Sequence, residues 1–165
     1  MRCFQHIMFF CAAFVSLSLA ITVPSAFAED GKNKADYHPL KISTENGDVT
    51  VAVRLALSQE SRAKGLMYVT EMGAKEGMLF IYPRADQRSF WMRNTYIPLD
   101  MIYIKRNGRI ESIRANVPPR NDTARPSKGK VLSVLELNGG AAKKLGIKAG
   151  DMVHIPRAWR LKAEW

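Results

Sequence analysis

The chain has 165 residues, 47% apolar and 24% charged, a composition that fits one ordinary globular domain and excludes a disordered, collagen-like or multi-span membrane protein. Twenty-five Lys and Arg against 15 Asp and Glu leave a formal net charge of +10, so attraction to anionic surfaces is expected. Charge of this kind points to partners, not to a reaction.

Residues 1–28 read as a cleaved secretory signal peptide. Arg2 is followed by an uncharged apolar run from Ile7 to Val23 and then Ala26-Phe27-Ala28 before Glu29. At 17 residues the run is short for a membrane anchor, which needs about 20, and Met8, Phe9 and Phe10 before Cys11 do not fit a lipoprotein signal. A periplasmic or secreted location follows. Cleavage would remove Cys3 and Cys11, the only two cysteines, and with them thiol nucleophiles, disulfides and cysteine metal sites.

Residues 29–39 are polar and without apolar period, and read as a flexible leader. A domain is expected over 40–156, with 157–165 as a C-terminal tail. Leu40 to Thr44 and Val49 to Leu57 are strand-like runs around Glu45-Asn46-Gly47-Asp48, a strong hairpin signal. Ser58 fits a helix N-cap, with Glu60 in the first turn and the helix fading at Gly65. Further strands are expected at Gly77 to Tyr82, Arg88 to Met92, Leu99 to Ile104 and, past an Asn107-Gly108 turn, Arg109 to Ile113. After Val117-Pro118-Pro119 a polar stretch runs to Lys130. Then come a strand from Val131 to Leu137, a helix opened by Asn138-Gly139-Gly140 and ended by Gly146, and a last strand from Met152 to Ile155. Short strands with hairpin spacing and two short helices indicate a mainly β (α+β) domain, a small and mostly antiparallel β-barrel or curved sheet.

Gly77-Met78-Leu79-Phe80, the stretch from Ser89 through Trp91 to Thr95, and Ile97-Pro98-Leu99-Asp100-Met101 together resemble the bacterial and archaeal family called domain of unknown function 192 (DUF192). Arg62 to Met67, Asn116 to Pro119, Val134 to Leu137 and Leu145 to Asp151 follow in that family's order, so the resemblance covers about Leu40 to Pro156. It implies a compact, mostly β domain, often exported, and no established activity. Many relatives carry cysteines in the loop after the Val-Pro-Pro step; here Arg120 to Lys130 has none, which removes a redox or disulfide role for that loop.

Alternation along strands places Asp100 in a row with Ile102 and Ile104, and Glu136 in a row with Leu132 and Val134. Two carboxylates on apolar rows must shift their pKa, accept several hydrogen bonds or meet a cation. One reading is a polar pocket framed by Arg88, Trp91, Asn94, Asp100 and Glu136 that holds a small polar ligand or an envelope glycan fragment, without catalysis. The rival for the same residues is an ion-pair lock closing the barrel end, with Trp91 as core packing and Asn94 in a turn. A third uses Asp100 and Glu136 as the acid and base of a glycan hydrolase.

Between Lys105 and Lys130 eight cations face only Glu111 and Asp122. Arg120, Arg125, Lys128 and Lys130 could contact anionic lipid or lipopolysaccharide, as an assembly protein would, or form a solvated basic surface. No nucleic-acid motif is present, and none is expected as a partner. His38 and His154 stand alone, the methionines from Met67 to Met152 are unclustered, and Gly139-Gly140 is explained by a helix start capped by Asn138, so no metal or cofactor is implied. A monomer is expected.

Overall fold

The computed structural model describes residues 37–164. The address segment and most of the polar leader lie outside the described residues. Nine strands and three short helices run in the order β1 (His38–Thr44), β2 (Gly47–Ala56), α1 (Gln59–Lys64), β3 (Glu76–Asp86), β4 (Ser89–Phe90), β5 (Leu99–Ile104), β6 (Ile110–Val117), β7 (Arg125–Pro126), β8 (Val131–Asn138), α2 (Ala141–Lys144), β9 (Met152–His154) and α3 (Arg157–Leu161).

Seven strands form one sheet in the order β6-β5-β8-β3-β2-β1-β9, all neighbours antiparallel except the parallel pair β2 and β3. The sheet curls into a half-barrel, and its far edges meet at one end through an Arg109–Met152 bridge and hydrogen bonds between Ile110 N–H and the Asp151 carbonyl and between Val153 N–H and the Gly108 carbonyl, each 2.8 Å. The mostly antiparallel curved sheet read from the sequence is thus present. Among the described residues there are three helices, because residues 157–161 of the supposed tail form α3, whose Trp159 packs on the inner core.

The opening hairpin follows its local signals. Thr44 pairs with Gly47, which takes the positive φ of 111° that glycine tolerates, so the turn centres on Glu45-Asn46. Ser58 caps α1 in a capping box with Ser61, and Gly65 ends it at a φ of 49°. The short helix lets the chain cross over and lay β3 parallel to β2, a pairing that no hairpin can make.

The central strands are buried on both faces: every residue of β5 is buried, as is β8 up to Leu137. Leu40, Ile42, Val51, Val53, Leu79, Ile81, Ile102, Ile104, Leu135 and Leu137 fill the inside of the curl, with Ala141, Ala142 and Ile147 packed among them. On the outer face Met78, Phe80, Met101, Tyr103 and Val134 form a second core with Leu66 and Met92. The segments that carry this cover are strapped down. β4 pairs with β7, Met92 N–H donates to the Asn121 carbonyl at 2.7 Å, and Ser127 N–H donates to the Arg88 carbonyl at 2.7 Å. The polar stretch before Lys130 is therefore a strap over the outer core.

β3 and β8 approach closely at Gly77. A Cβ there would stand 2.4 Å from the Glu136 carbonyl oxygen and 2.7 Å from Leu137 Cδ2, so the backbones could not keep their spacing. Gly77→Ala is expected to destabilise the fold by about 3 kcal/mol through overpacking, measured as a lowered urea midpoint at unchanged m-value.

Candidate functional site

The register of β5 on β8 decides where the two acidic candidates go. Met101 pairs with Glu136 and Asp100 pairs with Leu137. Paired residues share a face, so Asp100 points with Leu137 into the inner core and Glu136 points with Met101 into the outer one. The expectation that both line one pocket is corrected by this pairing, and so is the carboxylate pair that a glycan hydrolase would use.

Asp100 is wholly buried and its acceptors are filled by the fold. Oδ1 accepts from the main-chain N–H of Asn116 at 2.6 Å and of Gly140 at 2.8 Å, and Oδ2 accepts from Ala142 N–H at 2.8 Å. It ties the end of β6 to the first turn of α2, doing from a distance the work expected of a helix cap. Asn138, expected in that role, instead donates through Nδ2 to the Met72 and Gly73 carbonyls at 3.0 and 2.9 Å, while the N-cap position is Gly140 with a φ of 81°. Asp100→Ala would strand three buried amides and is expected to cost about 3–5 kcal/mol in chemical denaturation, with the loss concentrated in hydrogen-exchange protection of α2.

Glu136 is different. It is 4% exposed, and among the described residues no hydrogen bond or ion pair reaches its carboxyl. Burial alone pushes its pKa up to about 8, so it is largely an uncharged acid at neutral pH. It lines a cavity of about 240 Å³ on the outer face, with Phe80 and Tyr82 from β3, Phe90 from β4, Trp91, and a rim of Arg62, Lys64 and Arg93. Phe90 meets Phe80 edge-on at 5.0 Å between centroids and Tyr103 at 6.3 Å, which braces the aromatic wall.

The remaining candidates fall around this cavity in distinct places. Trp91, read as a possible core residue, is half exposed, with the Arg93 guanidinium 4.5 Å from its ring centre and Arg93 itself paired to Asp122 at 2.9 Å. Arg88 stacks on Tyr82 at 3.9 Å and lines a neighbouring hollow. Asn94 is not among the cavity's lining residues. It takes a φ of 54°, accepts Tyr68 N–H through its carbonyl at 2.8 Å, and donates through Nδ2 to the Tyr68 hydroxyl at 3.1 Å, serving the turn. Arg88 and Asp100 therefore do not join Trp91 and Glu136, and no guanidinium is shared by the two acids.

The basic residues of the strap also separate. Arg120 covers the Tyr96 ring at 4.9 Å, Arg125 sits in β7 and gives its carbonyl to the Tyr103 hydroxyl at 2.5 Å, and Lys128 and Lys130 are exposed. Tyr82, Phe80 and Phe90 were not singled out by sequence, although β3 and β4 were expected as strands. Their place in the site depends on which face of the sheet the strap covers, and no local pattern carries that.

The unfolded chain releases the Glu136 proton near its ordinary value of 4.5, whereas the folded chain keeps it to about 8. Between those values the unfolded state binds fewer protons, so stability falls as pH rises and levels off above about 8. Glu136→Gln keeps the shape and removes the titration. Its stability is expected to exceed that of the parent by a few kcal/mol, at most roughly 5, at pH 9 and to converge with it near pH 4. Parallel stability profiles for the two proteins would contradict the assignment.

Comparison with known proteins places the fold in a family. Residues 41–155 match the DUF192 family, described as Uncharacterized ACR. Among solved structures, a protein of unknown function from Novosphingobium aromaticivorans DSM 12444 is similar at 43% identity and a TM-score of 0.70, over 72% of this chain and 85% of that one. A protein from Sinorhizobium meliloti 1021, whose description proposes a transcription regulator, is similar at 36% identity and a TM-score of 0.70, over 72% of this chain and 92% of that one. No curated protein matches the chain. With its half-barrel, its matched length and these relatives together, the chain belongs to the DUF192 family.

Proposed function

We propose that this protein is an exported, non-catalytic binding module of the cell envelope that takes a small polar ligand or a single sugar unit of a glycan into the Glu136 cavity. The observation that carries this reading is Glu136 itself. A carboxyl buried without a partner lowers stability, and a hydrophobic residue of similar size would fill the same space between Met78 and Met101 at no such cost. Among the described residues none hydrogen-bonds this group, whereas Asp100 is fully used. An unfilled donor and acceptor facing a cavity is what a bound hydroxyl or amide would satisfy.

The walls fit the same occupant. About 240 Å³ is just below the usual range for drug-sized ligand sites and suits one ring or a short chain. Phe80, Phe90 and Tyr82 offer aromatic surface for the C–H face of a sugar or for a planar ring, and Trp91 stands half exposed at the mouth. Binding requires no second acid, which the opposite orientation of Asp100 withholds from a hydrolytic mechanism.

N-acetylglucosamine and muramyl dipeptide serve as probes. Titration of the 15N-labelled protein is expected to give saturable shifts at Gly65, Phe90 and the Trp91 indole with at least one of them, and ligand at 100 times its dissociation constant should add about 2.7 kcal/mol of stability. Glu136→Leu, which stays folded because the site is apolar, should abolish the shifts. Silence from both probes, or shifts that survive Glu136→Leu, would overturn the reading.

A further inference from the structure

A second hollow, of about 420 Å³, shares Arg62 and Tyr82 with the Glu136 cavity and is lined besides by Gln59, Arg84 and Arg88. Three guanidinium-bearing residues meet there, and among the described residues lining it none is Asp or Glu. Two of them close on one ring: the Arg88 guanidinium carbon lies 3.9 Å and that of Arg62 5.0 Å from the Tyr82 centroid. Gathering like charges on one aromatic side chain is unfavourable unless an anion offsets them, and cation–π contact compensates only in part.

The arginines are built in. Arg62 donates to the Leu57 and Ile81 carbonyls from Nη1, the latter at 3.1 Å, and to the Glu164 carbonyl from Nη2 at 2.7 Å, so its charge is fixed against the main chain. Arg88 is held at its backbone by the Ser127 hydroxyl, which accepts its N–H at 3.1 Å, and at Nη2 by the Arg84 carbonyl at 2.9 Å. Its Nε is buried and has no hydrogen-bond partner. Arg88 therefore stands as a fixed guanidinium beside a second fixed positive charge, and planar guanidinium groups paired in this way suit an oxyanion.

We propose that the hollow formed by Arg62, Tyr82 and Arg88 binds a phosphate group, with Arg88 as the hydrogen-bonding fork and Arg62 as a fixed counter-charge. The site adjoins the Glu136 cavity, sharing Arg62, Ala63 and Tyr82 with it, and takes a ligand of opposite character, charged and tetrahedral where the other is neutral and polar.

The test uses the purified full chain. Inorganic phosphate, followed by isothermal titration at fixed ionic strength, is expected to saturate a single site. Arg88→Gln should weaken it about tenfold, the loss of one charge-assisted contact, and Arg88→Lys by a similar factor because the planar fork is gone. Lys143→Gln, which removes an equal charge from α2, should leave it unchanged. Arg84→Gln, at an exposed position, is a second variant should Arg88→Gln fail to fold, with weakening again expected. Vesicles of phosphatidate in phosphatidylcholine distinguish the sources: capture that Arg88→Gln abolishes assigns the site to a lipid headgroup, and free phosphate binding without capture assigns it to soluble phosphate esters. Binding that does not saturate, or that falls equally in Arg88→Gln and Lys143→Gln, would overturn the proposal.

Discussion

The structure depends on the pairing of β8 between β3 and β5. This strand stands in the middle of the sheet, and both of its faces are covered, one by the inside of the curl and the other by the strap that ties Arg88 and Met92 to Asn121 and Ser127. Little of either face is open to solvent, so a polar group on β8 or β5 depends on the protein or on what enters the outer cavity for its hydrogen bonds. The alternation of the strand then sorts the two acids, since neighbouring rows point to different cores.

From that sorting comes a division of labour. Asp100 has become part of the scaffold: three main-chain amides from two separate elements end on its two oxygens, and α2 needs no side-chain cap of its own. Glu136 is buried among aromatic and thioether neighbours, and burial makes it keep its proton. Two residues with the same functional group, on strands with β6 and β7 between them in sequence but paired to adjacent positions, thus have unrelated chemistry because of the direction of one Cα–Cβ bond.

The parts legible in the sequence were those set by neighbours in the chain. Asn46-Gly47, Ser58 with Glu60, and Gly65 mark the first hairpin and α1 through turn and cap chemistry, and the runs around Leu99 and Val131 mark strands by their apolar content. The inward direction of both acids was also legible, from alternation. Which of the two faces each would occupy was not, because that is a matter of register between β5 and β8, strands some thirty residues apart. Nor could the sequence show that the polar stretch before Lys130 would lie across the outer core, since its anchors are contacts of Asn121, Arg125 and Ser127 with partners distant in the chain. Asn138 looked like a cap because a cap was needed there; the need was met from β5 instead.

The order of the strands also bears on when the binding cavity comes into being. Its aromatic walls are encoded before residue 92, but its floor is the side chain of residue 136, and the strap that seals the outer face precedes that floor in the chain. A chain emerging from the ribosome cannot close the cavity until β8 has paired between β3 and β5. Until then Phe80, Tyr103 and Met101 lack the strand that joins them into one core, and the unfinished sheet is prone to aggregate.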